Sequence, residues 1–523
     1  MENIVNLNDV FFNYYFLIGG LFLSYLIYKI FQVLFNNNIY IQIKYKSRGH
    51  TWRSIQCNKS IPYNIHCTSC GKLMLPLVGL FCECCAVSAC KSCWRTVDKR
   101  FRCKAITWPS DKLFCHHWVN VGSVRTDNAD NSDNGLQKFF CCWCQKTKLC
   151  YNNMLNEAEE CNFHKYRDVI IPPTCVHVEK GTISSIKPLS DENWEPLIIF
   201  ANRKSGSNRS DEVLSLFRGL LNPIQVIDIS ATAPESVVRW LPPRCRVLVA
   251  GGDGTVAWVL NALLDAPRVR AVVAILPMGT GNDLSRVMGW GPGCSSDLDA
   301  HSIITSVKQA NEQYLDRWKV TITPRRGRLG RPRPTRVLFA YNYASIGVDA
   351  QVALDFHRAR SQFLYRYASR TLNYVAYAFL GAGRAWDAGA CGDLERRLRV
   401  RVDRAEPLAL PPLQALVVLN IPSWGAGVDL WSMGNEGEVE PQSVDDGKLE
   451  VVGISSSIHI ARLQCGLAEP YRFTQGSRVK IELDGTCAMQ VDGEPWMQGP
   501  ATIQIEHAGQ CLMLRATHGS DGI

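Results

Sequence analysis

The spacing of apolar positions changes character several times along the chain. Phe11 to Phe35 is an apolar run of 25 residues broken by one charge, Lys29. At helical rise it is about long enough to cross a ~30 Å hydrocarbon core, so residues 1–40 are predicted to form a membrane segment. Acidic Glu2 and Asp9 precede the run, whereas Lys44, Lys46 and Arg48 follow it. That asymmetry predicts a single-pass or monotopic protein of the endoplasmic reticulum or plasma membrane, with the bulk of the chain in the cytosol. From Pro196 onward the pattern becomes short apolar runs, each followed by a polar glycine-bearing loop and a helical stretch. Pro196–Phe200 leads into Ala201–Gly206 and a helix that Ser210 is expected to cap. Arg246–Ala250 leads into Gly251–Thr255 and a helix from Val256 to Leu264, and Ala271–Leu276 leads into Pro277–Asp283 and a helix from Leu284. Such units predict a parallel sheet covered by helices, with ligands at the carboxyl ends of its strands. Beyond Ala340, β-rich segments separated by glycine and proline turns predict a β-rich second domain. In it Leu398, Val400 and Val402 alternate with Arg397, Arg399 and Arg401 as a solvated edge strand.

Composition sharpens the region before Pro196. Of 22 cysteines, 15 lie between Cys57 and Cys161, and seven follow in the remaining 362 residues. A local cluster with C-x-x-C spacing on a cysteine-poor remainder reads as metal binding in a reducing compartment, and zinc is the expected ion. His50, Cys67, Cys70, Cys82, Cys85, Cys90, Cys93 and Cys103 supply eight donors, enough for two tetrahedral sites. Cys57 and Cys84 are spare. With 57 basic and 48 acidic side chains the formal net charge is +9, which admits contact with an anionic surface or a phosphate-bearing ligand and does not select nucleic acid. No nucleic-acid partner is expected.

The glycine loops carry the candidate chemistry. Gly251, Gly252 and Gly254 allow backbone amides close to a polyphosphate, and the following helix adds its positive dipole end. The candidate nucleotide contacts are Asn202, Ser205 and Gly206 on the first loop, Gly251, Gly252, Gly254 and Thr255 on the second, and Gly279, Thr280, Gly281, Asn282 and Asp283 on the third. No G-x-x-x-x-G-K-[ST], HRD or DFG occurs, which closes the P-loop and protein-kinase routes. Moving a phosphoryl group to a hydroxyl requires carboxylates near the phosphates, and Asp253, Asp492 and Glu494 are the candidates. Asp492-Gly493 also reads as a hairpin turn, and Asp445-Asp446-Gly447 reads as a turn or a Mg²⁺ site.

Gly-Gly-Asp-Gly-Thr at 251–255 and Leu-Pro-Met-Gly-Thr-Gly-Asn-Asp-Leu at 276–284 resemble the diacylglycerol kinase family, related in fold to NAD kinase and bacterial lipid kinases. The resemblance continues through Leu315–Val320, Asn342–Ala350, Val418–Ile421, Asp445–Gly447 and Met489–Trp496. The cysteine pattern resembles the diacylglycerol/phorbol-ester type of zinc finger. That likeness implies one ion on His50, Cys82, Cys85 and Cys103 and another on Cys67, Cys70, Cys90 and Cys93, with Cys90 standing where the family usually has His. A second, degenerate finger retains His116, Cys141, Cys144 and Cys161. The implied plan is a multidomain chain. It consists of membrane segment 1–40, finger 45–105, finger 112–163, linker 164–193, α/β nucleotide-binding catalytic domain 194–325, β-rich accessory domain 336–508 and tail 509–523. Two fingers and a membrane segment resemble the epsilon-type arrangement. The implied activity is ATP- and Mg²⁺-dependent phosphorylation of 1,2-diacylglycerol to phosphatidic acid at membrane lipids, attenuating diacylglycerol signalling, with Zn²⁺ in the fingers. The alternatives are a sphingosine or ceramide kinase and a non-catalytic membrane lipid-binding adapter.

Overall fold

A computed structural model describes residues 25, 49–54, 66–74, 79–124, 136–150, 158–203, 209–295, 297–325, 334–361, 392–433 and 440–517. The first cysteine module folds strands β1 (Trp52–Ser54), β2 (Gly79–Cys82) and β3 (Ser88–Cys90) into an antiparallel sheet, followed by helix α1 (Trp94–Arg100). The second repeats the sheet with β4 (Trp118–Val124), β5 (Leu136–Cys141) and β6 (Thr147–Cys150). Tight C-x-x-C turns follow these strand ends at Cys82, Cys90 and Cys141, where two cysteines with two residues between them turn toward one point.

Residues 164–193, expected as a linker, are built into the fold. They contain the hairpin β7 (Val176–Glu179) and β8 (Thr182–Ile186) and bury Tyr166, Val169, Ile170 and Ile171. Buried Gln225 explains the docking. It donates to the carbonyls of Val169 (2.8 Å) and Leu197 (2.7 Å) and accepts from the Ile171 amide (2.8 Å), pairing backbone that would otherwise be orphaned.

The predicted parallel sheet is present as β9 (Leu197–Ala201), β10 (Val226–Asp228), β11 (Arg244–Gly251) and β12 (Arg270–Pro277), in the order β10-β9-β11-β12. Every residue of β9 is buried, as expected of a strand covered on both faces. Its helices include α2 (Ser210–Leu220), α3 (Asp253–Leu264), α4 (Asp283–Val287) and α5 (Ala300–Gln309). Strand β10 was not anticipated; its three residues are too few to show a period. The expected cap at Ser210 is corrected. Arg209 occupies the N-cap without a side-chain bond, and Ser210 Oγ instead donates to the Asn202 carbonyl at 2.6 Å.

The sheet does not stop where the catalytic domain was expected to end. Strands β13 (Asn311–Pro324) and β14 (Arg336–Ala340) extend it, and six further strands build a second sheet around β15 (Tyr343–Gly347). These are β17 (Ala415–Leu419), β18 (Leu449–Ile454), β19 (Tyr471–Gly476), β21 (Cys487–Val491) and β22 (Glu494–Gln498) with β15, all antiparallel. Between them in sequence, β16 (Leu398–Val402) pairs β20 (Arg478–Leu483) on the first sheet. In β16 the leucine and valines are buried and Arg399 and Arg401 exposed, as the alternation predicted. Residues 509–523, expected as a tail, are corrected as far as Arg515. Strand β23 (Ala501–Arg515) pairs along β13 from Ala501 to Arg515 and reaches β12 at Val273–Met513. Its apolar face fills the seam between the two domains, since Met513 and Leu514 belong to the core of the parallel sheet and Ile503 and Ile505 to that of the second domain.

The predicted membrane crossing is also corrected. No described helix is long and apolar enough to cross a membrane, and all of Phe11–Phe35 except Tyr25 lies outside the described residues. The single-pass or monotopic placement, and the localisation built on it, therefore have no support.

Candidate active site and metal centres

The chain leaves β9 for β10 on one side and reaches β11 on the other, so the carboxyl edge has its switch point between β9 and β11. Three loops converge there. Asn202, after β9, donates from Nδ2 to Thr255 Oγ1 at 3.0 Å, and the Met278 amide bonds the Gly251 carbonyl at 2.9 Å. Helix α3 starts at Asp253 and points its positive end at this edge. On the third loop Asn282 is buried at φ +54° and acts as a staple. Its Oδ1 accepts from the Gly279 amide (2.9 Å), and its Nδ2 donates to the carbonyls of Gly279 (3.0 Å) and Pro292 (2.8 Å). Thr280 and Gly281 lie half-buried on the same turn. Ser205 and Gly206 lie outside the described residues.

Glycine is required here first by the protein itself. A Cβ on Gly279 would stand 2.6 Å from the Gly252 Cα and 2.8 Å from Asn282 Oδ1. One on Gly252 would stand 3.0 Å from the Gly279 Cα, and one on Gly251 would stand 2.5 Å from the Thr255 Cβ. The second and third loops thus touch backbone to backbone. Gly254 differs, because its Cβ would meet only the tip of Glu494, with Oε1 at 3.2 Å.

The acids divide by what holds them. Asp253 accepts the amides of Leu284 (3.0 Å) and Asp283 (3.2 Å), so it caps α4. Asp283 reaches the second domain, where its Oδ1 accepts from Ser423 Oγ (2.6 Å) and the amides of Ala426 and Gly427 (both 3.0 Å). Burial pushes its carboxyl up to about 6, with the Asp253 charge adding and these bonds opposing. Asp492 sits at φ +48° in the turn between β21 and β22 and accepts three consecutive amides, those of Tyr341 (2.8 Å), Asn342 (2.8 Å) and Tyr343 (3.1 Å). Burial raises it to about 7, the amides oppose the rise and Asp253 adds to it. Glu494, two residues on, is exposed and faces the first turn of α3. Asp253, Asp283 and Glu494 therefore meet at the inter-domain cleft, and Asp492 ties its far wall together. The Ser423–Gly427 loop was missed in the sequence; its Gly425 and Gly427, both at positive φ, were the available signal.

Asp445-Asp446-Gly447 is a turn. Gly447 at φ +70° donates its amide to buried Asp316 at 2.6 Å, Gln313 Nε2 donates to Asp445 at 2.8 Å, and the Lys448 amide donates to Asp446 at 2.9 Å.

Three groups of four donors assemble in the cysteine modules: His50, Cys82, Cys85 and Cys103; Cys67, Cys70, Cys90 and Cys93; and His116, Cys141, Cys144 and Cys161, each with its ligand atoms within 4.8 Å of one another. Thiolates on one tetrahedral zinc at about 2.3 Å stand about 3.8 Å apart. Cys82 and Cys103 sulfurs lie 3.6 Å apart and those of Cys70 and Cys90 3.9 Å, while His50 Nδ1 is 3.4 Å from Cys85 and His116 Nδ1 3.3 Å from Cys144. The donor sets and spacings fit zinc.

The sequence is similar to those of known proteins. Residues 196–313 match the Diacylglycerol kinase catalytic domain and residues 339–495 the Diacylglycerol kinase accessory domain. The chain is 40% identical over 321 residues to diacylglycerol kinase theta of Mus musculus, covering 59% of this chain and 34% of the relative. It is 30% identical over 529 residues to probable diacylglycerol kinase 3 of Caenorhabditis elegans, covering 90% and 64%. The chain thus spans about a third of the length of the theta relatives. A putative diacylglycerol kinase of Bacillus anthracis aligns over 62% of this chain and 98% of its own, at 17% identity and a TM-score of 0.40.

Proposed function

We propose that this chain, which carries diacylglycerol kinase catalytic and accessory domains, transfers the γ-phosphoryl group of ATP to the free hydroxyl of 1,2-diacylglycerol, yielding phosphatidic acid and removing diacylglycerol as a signal. The observation that carries this reading is Glu494, an exposed carboxylate of the accessory domain set against the first turn of the helix that follows Gly-Gly-Asp-Gly-Thr.

In this reading the loops after β9, β11 and β12 receive the nucleotide, and the start of α3 lends its dipole to the phosphates. Bound MgATP would supply the phosphoryl group and a neutralising cation. Glu494 accepts the proton of the attacking alcohol across the cleft. Asp253 orients the third loop by capping α4, and Asp283 latches the accessory domain to it through Ser423 and the Ala426–Gly427 amides. Asp492, whose carboxylate is engaged by three amides, is assigned to building the turn that presents Glu494. This differs from the sequence expectation, in which Asp492 stood beside Asp253 and Glu494 as a candidate catalytic acid. The donor groups of the cysteine modules are assigned to structural zinc. Two such modules ahead of one catalytic and one accessory domain support the epsilon-type arrangement.

Transfer of label from γ-³²P ATP to diacylglycerol, sphingosine and ceramide in mixed micelles tests the reading. Labelling of diacylglycerol alone is expected. Preferential labelling of sphingosine or ceramide would replace the substrate, and no labelling of any lipid by a folded preparation would leave the adapter.

A further inference from the structure

The first cysteine module grips the catalytic domain through one helix, α2, and holds it at both ends. At the C-terminal end buried Lys104 donates from Nζ to the carbonyls of Arg218 (3.3 Å), Gly219 (3.0 Å) and Leu221 (2.9 Å). A cation on the last carbonyls sits where the helix dipole favours it, and the same ammonium lies 4.6 Å from the centre of the Trp143 ring of the second module. Beside it Arg218 pairs with Glu83 at 3.1 Å. At the N-terminal end Arg53 donates from Nη1 to the Asp211 carbonyl at 2.8 Å, while its Nη2 stands 3.6 Å from the Asp211 carboxylate. Arg53 also stands 3.4 Å from Glu83, which joins the two grips into one chain of charges.

The first turn of α2 in turn holds the loop after β9. Ser210 donates to the Asn202 carbonyl (2.6 Å), and Asp211 pairs with Arg203 (3.1 Å), which also pairs with Asp228 (2.8 Å). Asn202 then donates to Thr255 in the glycine loop. A continuous path of ion pairs and hydrogen bonds, half-buried or buried apart from exposed Arg203, therefore runs from the cysteine module to the candidate phosphate loops. Two carboxylates, Asp211 and Asp228, share the single guanidinium of Arg203, and Arg53 supplies the second cation that balances them.

We propose that the first cysteine module is a brace for the nucleotide site: Arg53 and Lys104 are positioning residues that hold α2 so that Ser210 and Asp211 fix the Asn202–Arg203 loop, whose Asn202 bonds Thr255 of the glycine loop. The proposal rests on reading these loops as the nucleotide site. It assigns the module a role in ATP affinity, separate from any contact it makes with lipid.

Nucleotide affinity of the intact chain, measured with a fluorescent ATP analogue and Mg²⁺ beside zinc content and melting temperature, tests it. Arg53→Met and Asp211→Asn should each weaken the analogue about three- to tenfold, with Arg53→Lys intermediate, while zinc content and the KM for diacylglycerol stay at wild-type values. If Arg53→Met fails to fold, Asp211→Asn and Arg53→Lys carry the same test. Nucleotide affinity within about twofold of wild type in all folded variants would overturn the brace and leave the site reading intact. Equal loss of nucleotide affinity, diacylglycerol KM and melting temperature would also overturn it, as general destabilisation. Failure of the wild-type chain itself to bind the analogue would instead remove the nucleotide reading, and the brace with it.

Discussion

The two walls of the cleft are assembled from opposite materials. On the parallel-sheet wall Gly252 and Gly279 meet without side chains, and the loops are stapled by the amide of Asn282. Toward the accessory wall the joints are carboxylates: Asp492 of that wall gathers the amides of Tyr341, Asn342 and Tyr343, and Asp283 reaches over from the parallel-sheet wall to Ser423, Ala426 and Gly427. An acid in such a cleft is thus not by that fact a catalytic group. Three of the four carboxylates accept backbone amides, and losing the Asp492 bonds would leave the buried amides of Tyr341, Asn342 and Tyr343 unpaired. Glu494 is exposed and can change partners during a reaction.

The largest effect should come from separating the two acids of the β21–β22 turn. Glu494→Gln is expected to lower kcat by ~10² to 10⁴ with an unchanged melting temperature, because the side chain is exposed and only proton transfer is lost. Asp492→Asn replaces an acceptor with a donor against one of three amides and should cost about 1–3 kcal/mol of stability. Its activity should follow the folded fraction. Loss of kcat in a fully folded Asp492→Asn chain, with normal turnover in Glu494→Gln, would reverse the two assignments.

A smaller effect is expected on the glycine wall. Gly279→Ala must push Gly252 backbone or the Asn282 staple aside and should cost about 1–3 kcal/mol, with weaker nucleotide binding. Gly254→Ala meets only the end of Glu494 and should melt within about 0.5 kcal/mol of wild type. Equal melting of the two variants, read by calorimetry, would contradict the backbone contact.

The smallest effect is in pH. Asp492 and Asp283 have carboxyls raised to about 7 and about 6, so between their ordinary value of 3.8 and those values the folded chain binds protons that the unfolded chain has released. Stability from these groups is therefore greatest at low pH, falls as pH rises toward about 7, and is level above it. The stability difference between wild type and Asp492→Asn should narrow or reverse in favour of the variant from pH 5 to 7.5, by no more than about 1 kcal/mol per pH unit. A difference independent of pH in chemical denaturation would show that Asp492 is not held with a raised pKa.

Much of this protein was legible locally. Apolar runs ending in glycine loops marked β9, β11 and β12, and C-x-x-C pairs with their flanking His and Cys marked twelve donors that gather into three groups. Both signals are short-range, since strand period and chelate spacing are written within a few residues. The Phe11–Phe35 run shows the limit of that approach, because apolar length alone suggested a membrane crossing that no described helix supplies. What only the tertiary structure decided depends on partners far apart in the chain. Asp492 is engaged by amides 149 to 151 positions away, Asp283 by a loop 140 to 144 positions on, and β23 enters the parallel sheet from the far end of the second domain. A carboxylate's chemistry follows from which hydrogen-bond donors surround it. Period and motif determined where the acids stand, and folding alone determined that Asp253, Asp283 and Asp492 are occupied and Glu494 is open.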